Sequence, residues 1–336
     1  MRYKGQTEYD HQGKIPARGI LITNLGTPDA PDTSSVRRYL REFLSDPRVV
    51  EIPRVIWWLI LYLFILPFRP GKSAKLYREV WTENGSPLMD ITSRQGKALQ
   101  QKLDNTYGNG AFIVEVAMRY GHPSISHGLQ QLKEKNVNHI SVLPLYPQYS
   151  AVTTGSTFDE LSRQLSSYRW IPGLTFINGY HRDPAYITGL ADSIRDHISQ
   201  HGVPDKLLFS FHGTPLNHLH QGDPYFCFCS ETTRLVSEQL ELEQDTIVLT
   251  FQSRFGKATW LQPYTAQTLE KLAKEQVKKV AVICPGFSAD CLETIEEIDQ
   301  ENRDIFLEAG GDEYYYIPCL NDNDEHIEMM MKLLTT

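Results

Sequence analysis

Short runs of consecutive apolar residues alternate along the chain with longer stretches in which apolar residues recur every three or four positions. The first kind reads as buried strands and the second as helices packed on one side. Strands are expected at Gly19–Asn24, Phe112–Met118, His139–Leu145 and Leu174–Ile177, and again at Leu207–Phe211, Thr246–Phe251, Lys279–Cys284 and Tyr314–Ile317. Helices are expected between them, among them Ser34–Leu44, Ser73–Trp81, Ile91–Leu103, Ser156–Ser167, Glu231–Leu242 and Ala289–Leu307, with Glu325–Leu334 last. In Ser34–Leu44 the residues Val36, Tyr39, Leu40, Phe43 and Leu44 share a face, and Asp32 or Thr33 can cap it. Strands alternating with helices imply parallel sheets made of βαβ units. Two sets of four strands predict an α/β protein: two Rossmann-like domains with parallel four-stranded sheets facing a cleft. The first domain is placed at residues 15–180 and the second at 181–320, with a C-terminal helix at 321–336 packing back on the first.

One stretch departs from this rhythm. Val55–Phe68 is an almost unbroken apolar run of fourteen residues, bracketed by Arg54 and Arg69, with Lys72 and Lys75 beyond. A spanning helix needs roughly 20 residues. Three readings compete: a core helix, an interfacial membrane patch, and the rim of an apolar pocket. Trp57, Trp58 and Tyr62 with flanking cations fit the interface.

Two strand ends carry candidate chemistry. Leu207–Phe211 ends at His212, and Gly213 and Pro215 forbid its continuation. Ligands of open α/β sheets sit outside the carboxyl ends of the strands. The strand ending at Cys284 runs into a helix whose acids Asp290, Glu293, Glu297 and Glu301 are spaced 3, 4 and 4 apart. At about 100° per residue they form one stripe. Such a stripe is commonly only a solvated face, and a histidine at a strand end commonly only a hydrogen-bond donor. Together at one cleft, an imidazole and a carboxylate can pass protons or hold a borderline divalent metal such as Fe2+. Leu25, Trp57, Trp58, Tyr77, Tyr120, Tyr146, Trp260 and Phe287 could wall a wide, flat apolar ligand. Arg119, at a strand end, could meet a ligand carboxylate or pair with a protein acid.

Composition narrows the classes. The formal net charge of -8 over 336 residues argues against a dedicated nucleic-acid binder. Met1–Arg18 has no apolar core of a secretory signal. Five cysteines, Cys227, Cys229, Cys284, Cys291 and Cys319, fit free thiols in a reducing cytoplasm. No G-x-G-x-x-G, phosphate-loop or G-x-S-x-G motif occurs.

Taken together, these residues resemble the ferrochelatases, which insert ferrous iron into a porphyrin, and among them the proteobacterial type that uses protoporphyrin. The resemblance runs from about Gly19 to the final helix. It is carried by Leu25-Gly-Thr-Pro28, Tyr77-Arg78, Gly85-Ser-Pro87, Met118-Arg-Tyr120, Leu145-Tyr-Pro-Gln-Tyr-Ser150 with Thr153-Thr-Gly-Ser156, Phe209-Ser-Phe-His-Gly-Thr-Pro215, Gly222-Asp-Pro-Tyr225, Phe251-Gln-Ser-Arg-Phe-Gly256, Trp260-Leu261 and Ala289-Asp-Cys-Leu-Glu-Thr294. It implies a chelatase-like fold and a lyase that releases two protons while converting protoporphyrin IX and Fe2+ to protohaem, the final step of haem biosynthesis. It makes His212 and Glu293 the catalytic and metal-handling pair and Glu297 and Glu301 a proton or metal path. Leu25, Tyr77, Arg119, Tyr120, Tyr146 and Trp260 become substrate-binding residues. Residues 53–70 become an active-site lip, and Trp57, Trp58, Tyr62 and Phe64 its membrane contact.

The resemblance further implies a cytoplasmic enzyme, peripheral on the inner face of the cytoplasmic membrane. An upstream porphyrin-producing enzyme is a candidate partner. Some relatives carry a [2Fe–2S] cluster in a C-terminal extension; this chain stops at Thr336, and Ala151 stands where an internal cysteine often occurs, so no tightly bound cofactor is expected. A four-thiolate set of Cys227, Cys229, Cys291 and Cys319 is the remaining route to a cluster. Cys291 replaces the histidine of animal members. Two alternatives stay open: a non-catalytic porphyrin or haem carrier, and a chelatase of another metal or of coproporphyrin.

Overall fold

The computed structural model describes residues 3–5, 16–256 and 258–335; the expected domain start at residue 15 lies outside them. The described residues form two compact units. One draws on Met1–Leu145, Ala151–Gly179 and Ile327–Thr336, and the other on Tyr146–Ser150 and Tyr180–His326.

Each unit is built on a parallel four-stranded sheet. The first contains β1 (Arg18–Gly26), β2 (Phe112–Tyr120), β3 (His139–Pro144) and β4 (Gly173–Phe176), in the order β2-β1-β3-β4. The second contains β5 (Lys206–His212), β6 (Ile247–Gln252), β7 (Lys279–Ile283) and β8 (Glu313–Ile317), in the order β6-β5-β7-β8. The same topology is therefore used twice. In each sheet the first strand is central and covered on both faces, which is why its sequence is a continuous apolar run rather than an alternation. Ile20, Leu21 and Ile22, and likewise Leu207, Leu208 and Phe209, have no exposed surface. The chain leaves this strand to one side and returns on the other, which makes its carboxyl end a topological switch point. Both first strands end alike, β1 at Leu25-Gly26-Thr27-Pro28 and β5 at His212-Gly213-Thr214-Pro215. Gly26, at φ +107°, passes so close to the Tyr120 carbonyl that any side chain would collide with it.

The helix Thr33–Leu44, here α1, starts at Asp32, whose carboxylate accepts the Ser34 and Ser35 amides. The apolar run that follows is part of one longer helix, Arg54–Val80, of 27 residues. By length and composition it could cross a membrane. Its packing is that of a helix lying along its own unit. Trp57, Leu61, Leu66, Pro70, Ala74, Tyr77 and Val80 are buried, while Val55, Ile56, Trp58, Leu59, Tyr62, Leu63, Phe64 and Phe68 are exposed. Buried and exposed residues thus divide between two sides of the same helix. Pro70 cannot donate to the Leu66 carbonyl four residues back. The Arg37 guanidinium donates to that carbonyl instead, at 3.1 Å, and so docks the helix on α1. Trp57, expected on the exposed lip, points the other way: it is 5 % exposed and its indole N–H donates to the Leu44 carbonyl at 2.6 Å.

The acidic helix also differs from expectation. It begins at Glu293, winds as a π-helix to Glu301 and continues as α-helix over Asn302–Glu308. The buried residues Thr294, Ile298, Asn302 and Phe306 recur every four positions. Glu293, Glu297 and Glu301 do the same, one residue ahead. A period of four drifts around a 3.6-residue helix but stays nearly in line on the wider i→i+5 winding. Ile298 and Phe306, each with no exposed surface, anchor the helix in the second core at about 1.5–3 kcal/mol apiece.

Candidate active site

His212 ends β5, where its backbone is paired in register with Gln252 of β6. Its Nδ1 lies 2.7 Å from the Gly213 carbonyl oxygen. A carbonyl only accepts, so Nδ1 carries a hydrogen; in the neutral ring the lone pair is then on Nε2, available to a proton or a metal. The imidazole is half-buried, and the Trp260 ring stands beside it with centroids 6.4 Å apart. The indole nitrogen of Trp260 is buried with no hydrogen-bond partner among the described residues.

The π-helix brings the Glu297 carboxyl within electrostatic reach of this imidazole. Glu297 accepts the Ser253 amide at 2.7 Å and the Ser253 hydroxyl at its other oxygen. Ser253 follows β6 with φ at +64°, the left-handed conformation that aims both of its donors at one carboxylate. Burial pushes the Glu297 carboxyl above the ordinary carboxylate range; Ser253 and the neighbouring His212 pull it part of the way back, and Glu293 pushes it up again. Glu297 thus interacts with both His212 and Glu293. Glu301 is exposed, at the far end of the row.

Gln252 fixes the spacing of this group. Its side-chain N–H donates to the Glu293 carbonyl at 3.1 Å, and its side-chain oxygen accepts the Ser210 hydroxyl at 2.8 Å. One buried amide thus ties the start of the π-helix to the strand that carries His212. Asp290, expected on the acidic stripe, is instead a buried clamp ahead of the helix. It accepts the Tyr316 hydroxyl, the Asn321 side-chain amide at 2.7 Å and the Thr294 hydroxyl at 3.0 Å. Cys291 is buried, and burial together with Glu293 pushes its thiol well up, so it stays protonated. Among the described residues no group of three or more His, Cys, Asp or Glu side chains is placed to hold a metal ion. The four-thiolate set is therefore not formed: Cys227 is exposed, and Cys229, Cys291 and Cys319 are buried.

In the first unit, Arg119 takes the protein-acid alternative. Its guanidinium pairs with Asp46 at 2.5 Å and donates to the Ser156 hydroxyl at 2.7 Å. Asp46 also accepts the Tyr120 hydroxyl at 2.8 Å and the Ser156 hydroxyl at 2.6 Å. Burial alone would raise the Asp46 carboxyl, but these donors hold it below the usual range. Tyr120 is 1 % exposed and Tyr77 is buried. Leu25 is half-buried at the end of β1, and Tyr146 is half-buried in the second unit.

Sequence reasoning overlooked Asp46, because Ser-Asp-Pro after a helix reads as a turn. Gln252 and Ser253 were named only within the Phe251–Gly256 block, with no role, and Arg69 only as a flank of the apolar run. Arg69, on the long apolar helix, has its pKa lowered by burial.

Doubled parallel four-stranded sheets have solved counterparts among the chelatases. SirB from Bacillus subtilis, solved with Fe3+, matches 94 % of this chain and 93 % of its own, with TM-score 0.55 at 10 % identity. CbiX, described as the terminal enzyme for biosynthesis of siroheme in denitrifying bacteria, matches 95 % and 98 %, with TM-score 0.51 at 12 % identity. That likeness is of fold. Sequence gives the family: the ferrochelatase model matches residues 17–336. Ferrochelatase 2 of Shewanella oneidensis is 56 % identical over 96 % of this chain and 97 % of its own length. The ferrochelatase of Thioalkalivibrio sulfidiphilus is 54 % identical over 99 % and 90 %. The chain belongs to the ferrochelatase family and is a metal chelatase, a lyase of haem biosynthesis with Fe2+ as substrate.

Proposed function

We propose that this chain inserts Fe2+ into protoporphyrin IX with His212 and Glu293 as the pair that handles protons and metal. Free porphyrin carries two pyrrole N–H protons, and both must leave before four nitrogens can bind one ion. The free lone pair on His212 Nε2 carries the assignment. In this reading it accepts a pyrrole proton, and Glu293 and Glu297 hold a proton or escort the cation; the interaction of Glu297 with His212 supports it. Glu301 continues the row towards solvent. Leu25 and Tyr77 of the first unit, and Tyr146 and Trp260 of the second, are the apolar residues that the family resemblance makes contacts of the macrocycle. Arg119 and Tyr120, held in place by Asp46, are the first unit's candidate polar contacts for it. Walls that bind a bent macrocycle better than a flat one would lower the barrier by exposing the nitrogen lone pairs.

The exposed side of the Arg54–Val80 helix supports a peripheral seat on the inner face of the cytoplasmic membrane. An apolar porphyrin could arrive there from the enzyme that makes it. Anaerobic incubation with protoporphyrin IX and Fe2+, followed by loss of porphyrin fluorescence, tests the reaction. His212→Ala should bind porphyrin and form no haem; turnover retained in that variant refutes the central assignment.

A further inference from the structure

Beside the exposed helix, within the first unit, lies a second cavity of about 440 Å³ that the proposed reaction does not use. One wall is the stacked pair Trp58 and Tyr62, with ring centroids 5.3 Å apart and planes 6° from parallel. The opposite wall is the polar face of α1, and the loop after β2 closes one end with His122.

The cavity is lined by two acids and two arginines, and not all of them are paired with one another. Its two acids are already engaged: Asp29 pairs with Arg38 at 3.2 Å, and Glu42 accepts the Gly121 amide at 3.0 Å. The Arg41 guanidinium and the His122 ring face the same space, and among the described residues neither side chain has a charged or hydrogen-bonding partner. What remains is a fork of five N–H donors and an imidazole, next to an aromatic platform. That set suits a tetrahedral, singly charged oxyanion carried on an apolar body.

The apolar body is supplied by the neighbouring surface. Val55, Leu59, Leu63 and Phe64 of the same helix stand 58–77 % exposed. A chain that lays these residues into acyl tails brings Trp58 and Tyr62 to headgroup depth, where amphipathic rings settle. We propose that the cavity binds the phosphodiester of a membrane phospholipid through Arg41, assisted by His122, with the headgroup lying against Trp58 and Tyr62. The site would give the peripheral seat a fixed depth and rotation, which apolar contact alone does not. This rests on the membrane reading above, so its test is made without a bilayer as well as with one.

The probe is dihexanoylphosphatidylglycerol below its micelle concentration, titrated into the full chain while the indole N–H resonance of Trp58, assigned with Trp58→Phe, is followed. A saturable shift should appear in the wild type and weaken about tenfold or more in Arg41→Gln. Lys75→Gln, an equal charge change at an exposed position of the same helix, should bind like the wild type. Inorganic phosphate is the second probe: binding as tight as the lipid's would assign a free anion rather than a headgroup. In the bilayer arm, phosphatidylglycerol–phosphatidylcholine vesicles should retain Arg41→Gln less well than Lys75→Gln. Equal losses in the two variants, or no saturable shift with the short lipid, overturn the headgroup site. Vesicle binding unchanged in Leu63→Ser/Phe64→Ser overturns the membrane reading instead.

Discussion

Ser253 holds Glu297 by two donors at once, its amide on one carboxylate oxygen and its hydroxyl on the other. A single residue in a left-handed conformation therefore opposes the effect of burial on the proton affinity of a carboxyl that also interacts with the His212 imidazole. Ser253→Ala removes one of the two donors that pull the Glu297 pKa down. The carboxyl then titrates higher still. The acidic limb of the kcat/KM–pH profile should move to higher pH, with the profile unchanged in shape at its alkaline side. A limb that stays in place would mean that Glu297 does not titrate in the reaction.

The same shift has a consequence for stability. The folded-state pKa of Glu297 is raised above its ordinary 4.5. Such a group favours the folded state while it is protonated, and that contribution is lost as pH rises through the folded pKa. Glu297→Gln, always neutral, should thus melt higher than the wild type at pH 8. The gain should fade as pH drops towards 4, where both proteins are neutral at this position. Melting curves at three pH values decide it; a variant less stable at pH 8 refutes the sign.

Gln252 acts on the reaction through others. Gln252→Met keeps the volume but leaves the Ser210 hydroxyl and the Glu293 carbonyl without this partner, at a cost of about 1–3 kcal/mol. Because the substituted group sits behind the site, kcat should fall on the order of tenfold while the porphyrin KM stays within about twofold. Equal changes in both constants would indicate a binding defect rather than misplacement.

Two neighbouring aromatic residues should part company. Trp57→Ala empties a buried site and frees the Leu44 carbonyl, so it should cost about 3–5 kcal/mol in urea denaturation. Phe64→Ser, at a position 62 % exposed, should leave the denaturation midpoint unchanged and reduce sedimentation with vesicles. The reverse pattern would place the wrong side of the helix on the membrane.

The strands and their order of appearance were legible because both sheets are covered on two faces and write themselves as apolar runs. His212 was legible for the same reason, as the polar residue that ends one run. The fine geometry of the acids was not. An assumed winding of 3.6 residues put Asp290 on the stripe with Glu293, whereas the constant period of four at Thr294, Ile298, Asn302 and Phe306 was the available sign of a wider helix. The Asp46 network was hidden for a different reason. Its members, Asp46, Arg119, Tyr120 and Ser156, are brought together by the fold from distant parts of the sequence, and no local pattern announces a long-range hydrogen bond.

Leu25 and His212 occupy equivalent places, each preceding Gly-Thr-Pro at the end of the central strand of its sheet. One copy of the scaffold offers an imidazole there and the other a hydrocarbon. The same topological position therefore carries a titratable group in one unit and none in the other, so the end of β1 can change in shape without altering the titratable group at the end of β5.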